Sequence, residues 1–183
     1  MINTLDALAA QEVKLYEIAE GLEGSMEAKE QWLKEAGIFD EYTKLHRCYF
    51  KFLEQTDSAD LQLETLKRLV FLNWYMYTEP SIYTGINELD EMVIAASYQW
   101  LDRCIIENKL DQEFTWMLSY YSCWEYTILS YSEPNLMALT HFVNAVDTTV
   151  LHVPRYQLPR GIMDARGQMG HYWKSCSVEV KEK

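Results

Sequence analysis

Asp57-Ser58-Ala59-Asp60-Leu61-Gln62-Leu63-Glu64-Thr65-Leu66-Lys67-Arg68-Leu69-Val70-Phe71-Leu72-Asn73-Trp74-Tyr75-Met76-Tyr77 is the stretch that sets the class of this protein. Leu61, Leu66, Leu69, Val70, Trp74 and Tyr77 recur at helical spacing behind a capping Asp57-Ser58, which predicts one long helix. Trp74 and Tyr75 are neighbours and point about 100° apart on a helix, so the apolar surface wraps around much of the cylinder. A helix of that kind is packed on two sides or presents rings to a partner.

The same period runs outward in both directions. Leu5, Leu8, Ala9, Glu12, Leu15, Tyr16, Ala19 and Leu22 form a stripe that Asn3 or Thr4 can cap and that ends near Gly21 or Gly24. Ser25 can cap a second helix carrying Trp32 and Leu33 and closed by Gly37, and Asp40 a third with Tyr42, Leu45, Tyr49 and Phe52 on one face. Beyond Glu79-Pro80 the spacing predicts a fifth helix over 85–107, a sixth over 112–131 and a seventh from Ser132-Glu133-Pro134 to near Asp147. The fold class read from this is all-α, about seven helices in antiparallel pairs, as a helical array or irregular bundle over residues 1–147.

Residues 148–183 read differently. Gly161, Gly167, Gly170, Pro154 and Pro159 predict a loop-rich tail packed on the same domain, and the β-branched runs Thr148-Thr149-Val150 and Val178-Glu179-Val180 leave room for a short strand. The tail also reverses the charge, with six basic against three acidic residues over 150–183.

One internal repeat stands out at an offset of 54 residues: Tyr77-Thr78-Glu79-Pro80-Ser81-Ile82 matches Tyr131-Ser132-Glu133-Pro134-Asn135-Leu136. Thr or Ser caps a helix, Glu suits the positive end of its dipole, and Pro is tolerated in the first turn. Two stacked helix pairs would be HEAT-like, and two unrelated helix starts sharing a common cap are the plainer reading.

With 183 residues, 49% of them hydrophobic, the chain is one domain able to build its own core, which excludes disordered and collagen-like classes. Its net charge of −12 opposes binding to nucleic acid or to an anionic membrane. The N-terminal residues resemble no secretion signal and no apolar run is long enough to span a bilayer; with four dispersed cysteines, a reducing cytoplasm is expected. His46, His141, His152 and His171 show no metal-ligand spacing, so neither metal nor other cofactor is expected, and carboxylate pairs such as Asp90-Glu91 sit where helix caps want them.

Two groups of residues remain as candidate sites. Trp74, Tyr75, Tyr77, Tyr120, Tyr121 and Trp124 exceed what one core stripe needs and read as a central packed pair of helices or as an aromatic binding face. Arg155, Arg160, Arg166 and His171 read as an anion site or as clamps on acidic helices, with Tyr172 and Trp173 as packing anchors. The leading functional expectation is a non-enzymatic interaction protein, an acidic inhibitor or immunity-type protein in charge and size, facing a basic protein partner. The alternatives are a small enzyme or ligand-binding domain with an aromatic and arginine-lined anion pocket, and a mimic of nucleic acid.

Overall fold

The computed structural model describes residues 4–149 and 161–176, and every regular element among them is helical. α1 (Leu5–Glu20) begins where Thr4 accepts a hydrogen bond from the Ala7 amide, and Ser25 does the same for α2 (Met26–Glu35) through Ala28. α3 (Ile38–Gln55) starts directly behind Gly37, whose φ of 71° makes the turn; Asp40 therefore lies inside the first turn and does not cap it. α4 (Ala59–Thr78) is capped by Ser58. The remaining elements are α5 (Ser81–Thr84), α6 (Glu91–Ile106), α7 (Gln112–Tyr121), α8 (Tyr126–Ser132), α9 (Met137–Ala145) and α10 (Gly167–Cys176).

The array has ten α-helices among the described residues, where periodicity alone predicts seven. The expected fifth helix is split: α5 closes at Gly85, with φ 73°, and a loop then carries Ile86 and Leu89 into the core before Asp90 caps α6. Buried apolar residues in that loop imitate a helical stripe. The expected sixth helix breaks into α7, a 3-10 turn over Ser122–Trp124, and α8.

The largest departure is α10, in the tail expected to be loop. Glycine is required at both positions of this helix: Gly167, with φ 60°, lies where a side chain would collide with the Glu12 carboxylate, and a side chain at Gly170 would collide with the Met163 carbonyl. No strand occurs among the described residues; Val150 and residues 178–180 lie outside them.

α4 is the axis of the fold. Every residue from Thr65 to Trp74 is buried, and α3, α6, α7, α8 and α10 pack around it, while α1 covers α3 and α10. Each Thr/Ser-Glu-Pro repeat ends a helix, because the residue before proline is driven to extended backbone: Glu79 has ψ 140° and so does Glu133. The tyrosines that open the two copies meet, Tyr77 and Tyr131 sharing a hydroxyl–hydroxyl hydrogen bond of 2.7 Å.

Inside this core, His46 of α3 bonds through Nε2 to Asn73 Oδ1 at 2.9 Å, and Asn73 Nδ2 donates to Ser97 Oγ at 2.8 Å, tying α3, α4 and α6. Burial lowers the His46 pKa to about 4, more than the Asn73 bond raises it. The folded chain thus binds a proton less readily than the unfolded chain, and stability is complete above the ordinary histidine value of 6.5 and is lost as pH falls toward 4. Between pH 7.5 and 4.5 this linkage amounts to about 2–3 kcal/mol. Urea unfolding will show the loss, and His46→Gln will flatten the pH dependence by about that amount; an unchanged slope would contradict the neutral buried imidazole.

Candidate functional site

The tail joins the helical array at two places, one ionic and one aromatic. At the first, Arg166 is buried between α4 and α7. Its Nε donates to Glu64 Oε1 at 2.8 Å, Nη1 to Glu113 Oε1 at 2.8 Å, and Nη2 to Glu113 Oε2 at 2.8 Å and to Glu64 Oε2, while Nη1 also meets the Met163 sulfur at 3.3 Å. A guanidinium has five N–H groups. All five are engaged, so no donor is left for a ligand anion. Arg166 is thus held between the protein's own carboxylates, the arrangement that the clamp reading describes.

Two further cations join the network from α4. Lys67 Nζ donates to Asp111 and Glu113 at 2.6 Å each, and Arg68 Nε to Glu64 Oε1 at 2.9 Å, with its Nη1 reaching the Leu5 carbonyl at 3.3 Å. Lys67, Arg68 and Arg166 thus face Glu64, Asp111 and Glu113, three charges against three. Burial pushes the Glu113 carboxyl up, and the bonds from Arg166 and Lys67 outweigh it and hold it at about 2. A cleft of about 1400 Å³ opens beside this network, lined by apolar Leu5, Phe52 and Leu61 and by the paired Glu64, Arg68, Glu113 and Arg166.

Glu12 of α1 is the fourth acid of this region and it serves α10. Its Oε1 accepts from the Gln168 amide and its Oε2 from the Tyr49 hydroxyl, both at 2.6 Å, so the carboxylate occupies the amide end of α10. Burial raises its pKa against the lowering effect of those bonds. Periodicity places Glu12 on the inner stripe of α1, but neither it nor Lys67 and Arg68 gives a local sign of its distant partner.

At the aromatic junction, Tyr172 and Trp173 of α10 enter a cluster of rings on α4 and α7. Trp74 stacks on Tyr121 at 4.7 Å and meets Trp124 and Tyr172 edge-on at 5.4 and 5.3 Å; Trp173 lies 4.3 Å from Trp116. Trp173 Nε1 donates to the Tyr121 hydroxyl at 3.1 Å, and Tyr120 and Tyr172 share a bond of 2.8 Å. Trp74 and Tyr121 are core residues with 1% and 0% exposure, so they cannot form a binding face. Tyr75, Tyr120 and Trp124 are half-buried against the same core.

Of that expected face, Tyr77 alone is well exposed, and it belongs to a different surface. Tyr126 donates to the Tyr77 carbonyl at 3.3 Å, and Tyr77 pairs with Tyr131, giving a tyrosine patch in which Tyr77 is 42% and Tyr126 55% exposed. Burial, then the Tyr77 bond, and also the charge of Glu91 raise the Tyr131 pKa well above its ordinary value, which places an acid beside the patch. The offset-54 repeat is the sequence signal for the Tyr77–Tyr131 pairing. His171 is exposed and lies against the Tyr16 ring at 5.4 Å, away from Arg166's acids; Arg155 and Arg160 lie outside the described residues. Among the described residues, no group of three His, Cys, Asp or Glu side chains could hold a metal, and no helix is long and apolar enough to cross a membrane.

Removing Arg166 leaves the half-buried Glu64 and Glu113 balanced only by Arg68 and Lys67, two cations against three acids. Arg166→Met will lower the unfolding free energy at pH 7 by about 1–3 kcal/mol in urea titrations, and adding phosphate will not restore it. Because the Glu113 pKa is depressed, the clamp's contribution is complete above about 4.5 and fades as pH falls toward 2. A variant as stable as the parent would remove the clamp.

No protein-family model, no curated protein and no solved structure matches this chain.

Proposed function

We propose that this chain is a non-enzymatic recognition module whose acidic, tyrosine-bearing surface docks a protein partner with a net basic face. The observation that carries the reading is the patch of exposed Tyr77 and Tyr126 with half-buried Tyr131, beside Glu91 in a chain of net charge −12. Tyrosine offers a large rigid contact at small entropic cost, and such residues dominate interface energetics. The arginine clamp supports the same reading: the described tail cation best placed to receive an anion is already neutralised within the fold. An inhibitor or immunity-type role fits the size and charge, and the dispersed thiols of Cys48, Cys104, Cys123 and Cys176 suit a cytoplasmic home.

The charges act mainly on encounter, and the tyrosines on residence. With a partner captured from cell extract and identified by mass spectrometry, higher ionic strength will slow association far more than it speeds release. Tyr126→Ala will weaken the complex about tenfold through faster dissociation while leaving the melting temperature within a degree or so. Binding indifferent to both Tyr126→Ala and Tyr77→Ala would place the interface elsewhere.

A further inference from the structure

The tyrosine patch has a chemistry more specific than its charge. It is built by the end of α4, which carries Tyr77, by α8, which carries Tyr126 and Tyr131, and by the start of α6. Tyr98 of α6 packs against Tyr131 with ring centroids 5.7 Å apart, and Glu91 stands two turns earlier on the same face of that helix. This register brings the Glu91 charge to bear on the Tyr131 hydroxyl.

The hydroxyls of the patch are unevenly divided between donors and acceptors. Tyr126 commits its proton to the Tyr77 carbonyl at 3.3 Å, and in the Tyr77–Tyr131 pair at 2.7 Å one hydroxyl donates to the other. The three phenol oxygens therefore keep at most one free proton between them, while each retains a lone pair, and the Glu91 carboxylate adds further acceptors. No basic side chain offsets them from the same elements: residues 69–102 and 110–140 contain no lysine, arginine or histidine. Arg47 of α3, which reaches the start of α6, is held there by Asp90 at 2.5 Å. An anion would meet a carboxylate and a single O–H.

We infer that the patch receives an arginine side chain of the basic partner, an assignment that rests on the recognition role proposed above. A guanidinium is flat, weakly hydrated and equipped only with donors. It can lie on an exposed tyrosine ring while its in-plane N–H groups meet the neighbouring phenol oxygens and the Glu91 carboxylate. A lysine ammonium matches the charge alone, because its donors are not coplanar with a surface that stacks and it is more strongly hydrated.

NMR titration of the isotope-labelled intact protein with acetyl-tetra-arginine amide, acetyl-tetra-lysine amide and acetyl-tetra-glutamate amide tests this at low salt. The arginine peptide will saturate the shifts of the Tyr77, Tyr126 and Tyr131 amides and bind about fivefold more tightly than the lysine peptide of equal charge, and the glutamate peptide will move none of them. Glu91→Gln, at an exposed position, will weaken both cationic peptides, whereas Tyr126→Ala will bring the arginine peptide down to the affinity of the lysine peptide. Equal affinity of the two cationic peptides for the unaltered patch, saturation on other helices while the patch stays still, or no saturation by the arginine peptide at about 10 mM would overturn the arginine assignment. The wider recognition role would survive any of those results as long as capture of the partner depends on Tyr126 or Tyr77, and it falls separately if capture is indifferent to both.

Discussion

Lys67 and Arg68 sit on a stretch of α4 from which solvent is excluded on every side, and a cation there is costly by several kcal/mol unless carboxylates meet it. Glu64 lies one turn away on the same helix, but Asp111 and Glu113 come from the start of α7 and Arg166 from the tail. Balancing the buried charges therefore fixes where the start of α7 and the Arg166 segment meet α4, while apolar packing, with the His46–Asn73–Ser97 hydrogen bonds, holds α3, α6 and α8 against it. The aromatic junction follows from that placement, since the segment held by Arg166 leads directly into α10 and its Tyr172 and Trp173 anchors.

The class of fold was legible because helical spacing is a local property. Thr4, Ser25 and Ser58 cap where their chemistry says they should, and Leu61 to Tyr77 form one helix with rings on more than one side. The errors share one cause, which is that burial does not require helix. Ile86 and Leu89 are core residues in a loop, and Gly167 and Gly170 are helical residues that look like loop, because Glu12 and Met163 need the space a side chain would take. No property of residues 161–170 alone discloses an acid 155 residues or so upstream.

The candidate sites divide along the same line. Composition showed an excess of aromatic residues but not which of them face water; Trp74 and Tyr121 went inside, while the repeat around Tyr77 and Tyr131 marked rings that remain partly outside. Arginine in an acidic chain read either as an anion site or as a clamp on acidic helices, and Arg166 turns inward to the protein's own carboxylates. What is left at the surface is net negative charge and partly exposed tyrosine, a combination suited to a basic protein face.

The bond between Glu12 and Gln168 spans 156 positions of the chain, and it has a temporal side. During synthesis at about 5–20 residues per second, Gln168 follows Glu12 by roughly 8–30 s. Through that interval the Glu12 carboxyl has no helix terminus to cap and is held in water, and the aromatic flank of α4 has no Tyr172 or Trp173 to cover it. Closure is then a single late event, in which one short helix supplies an amide to Glu12 at its start and rings to Trp74 farther along.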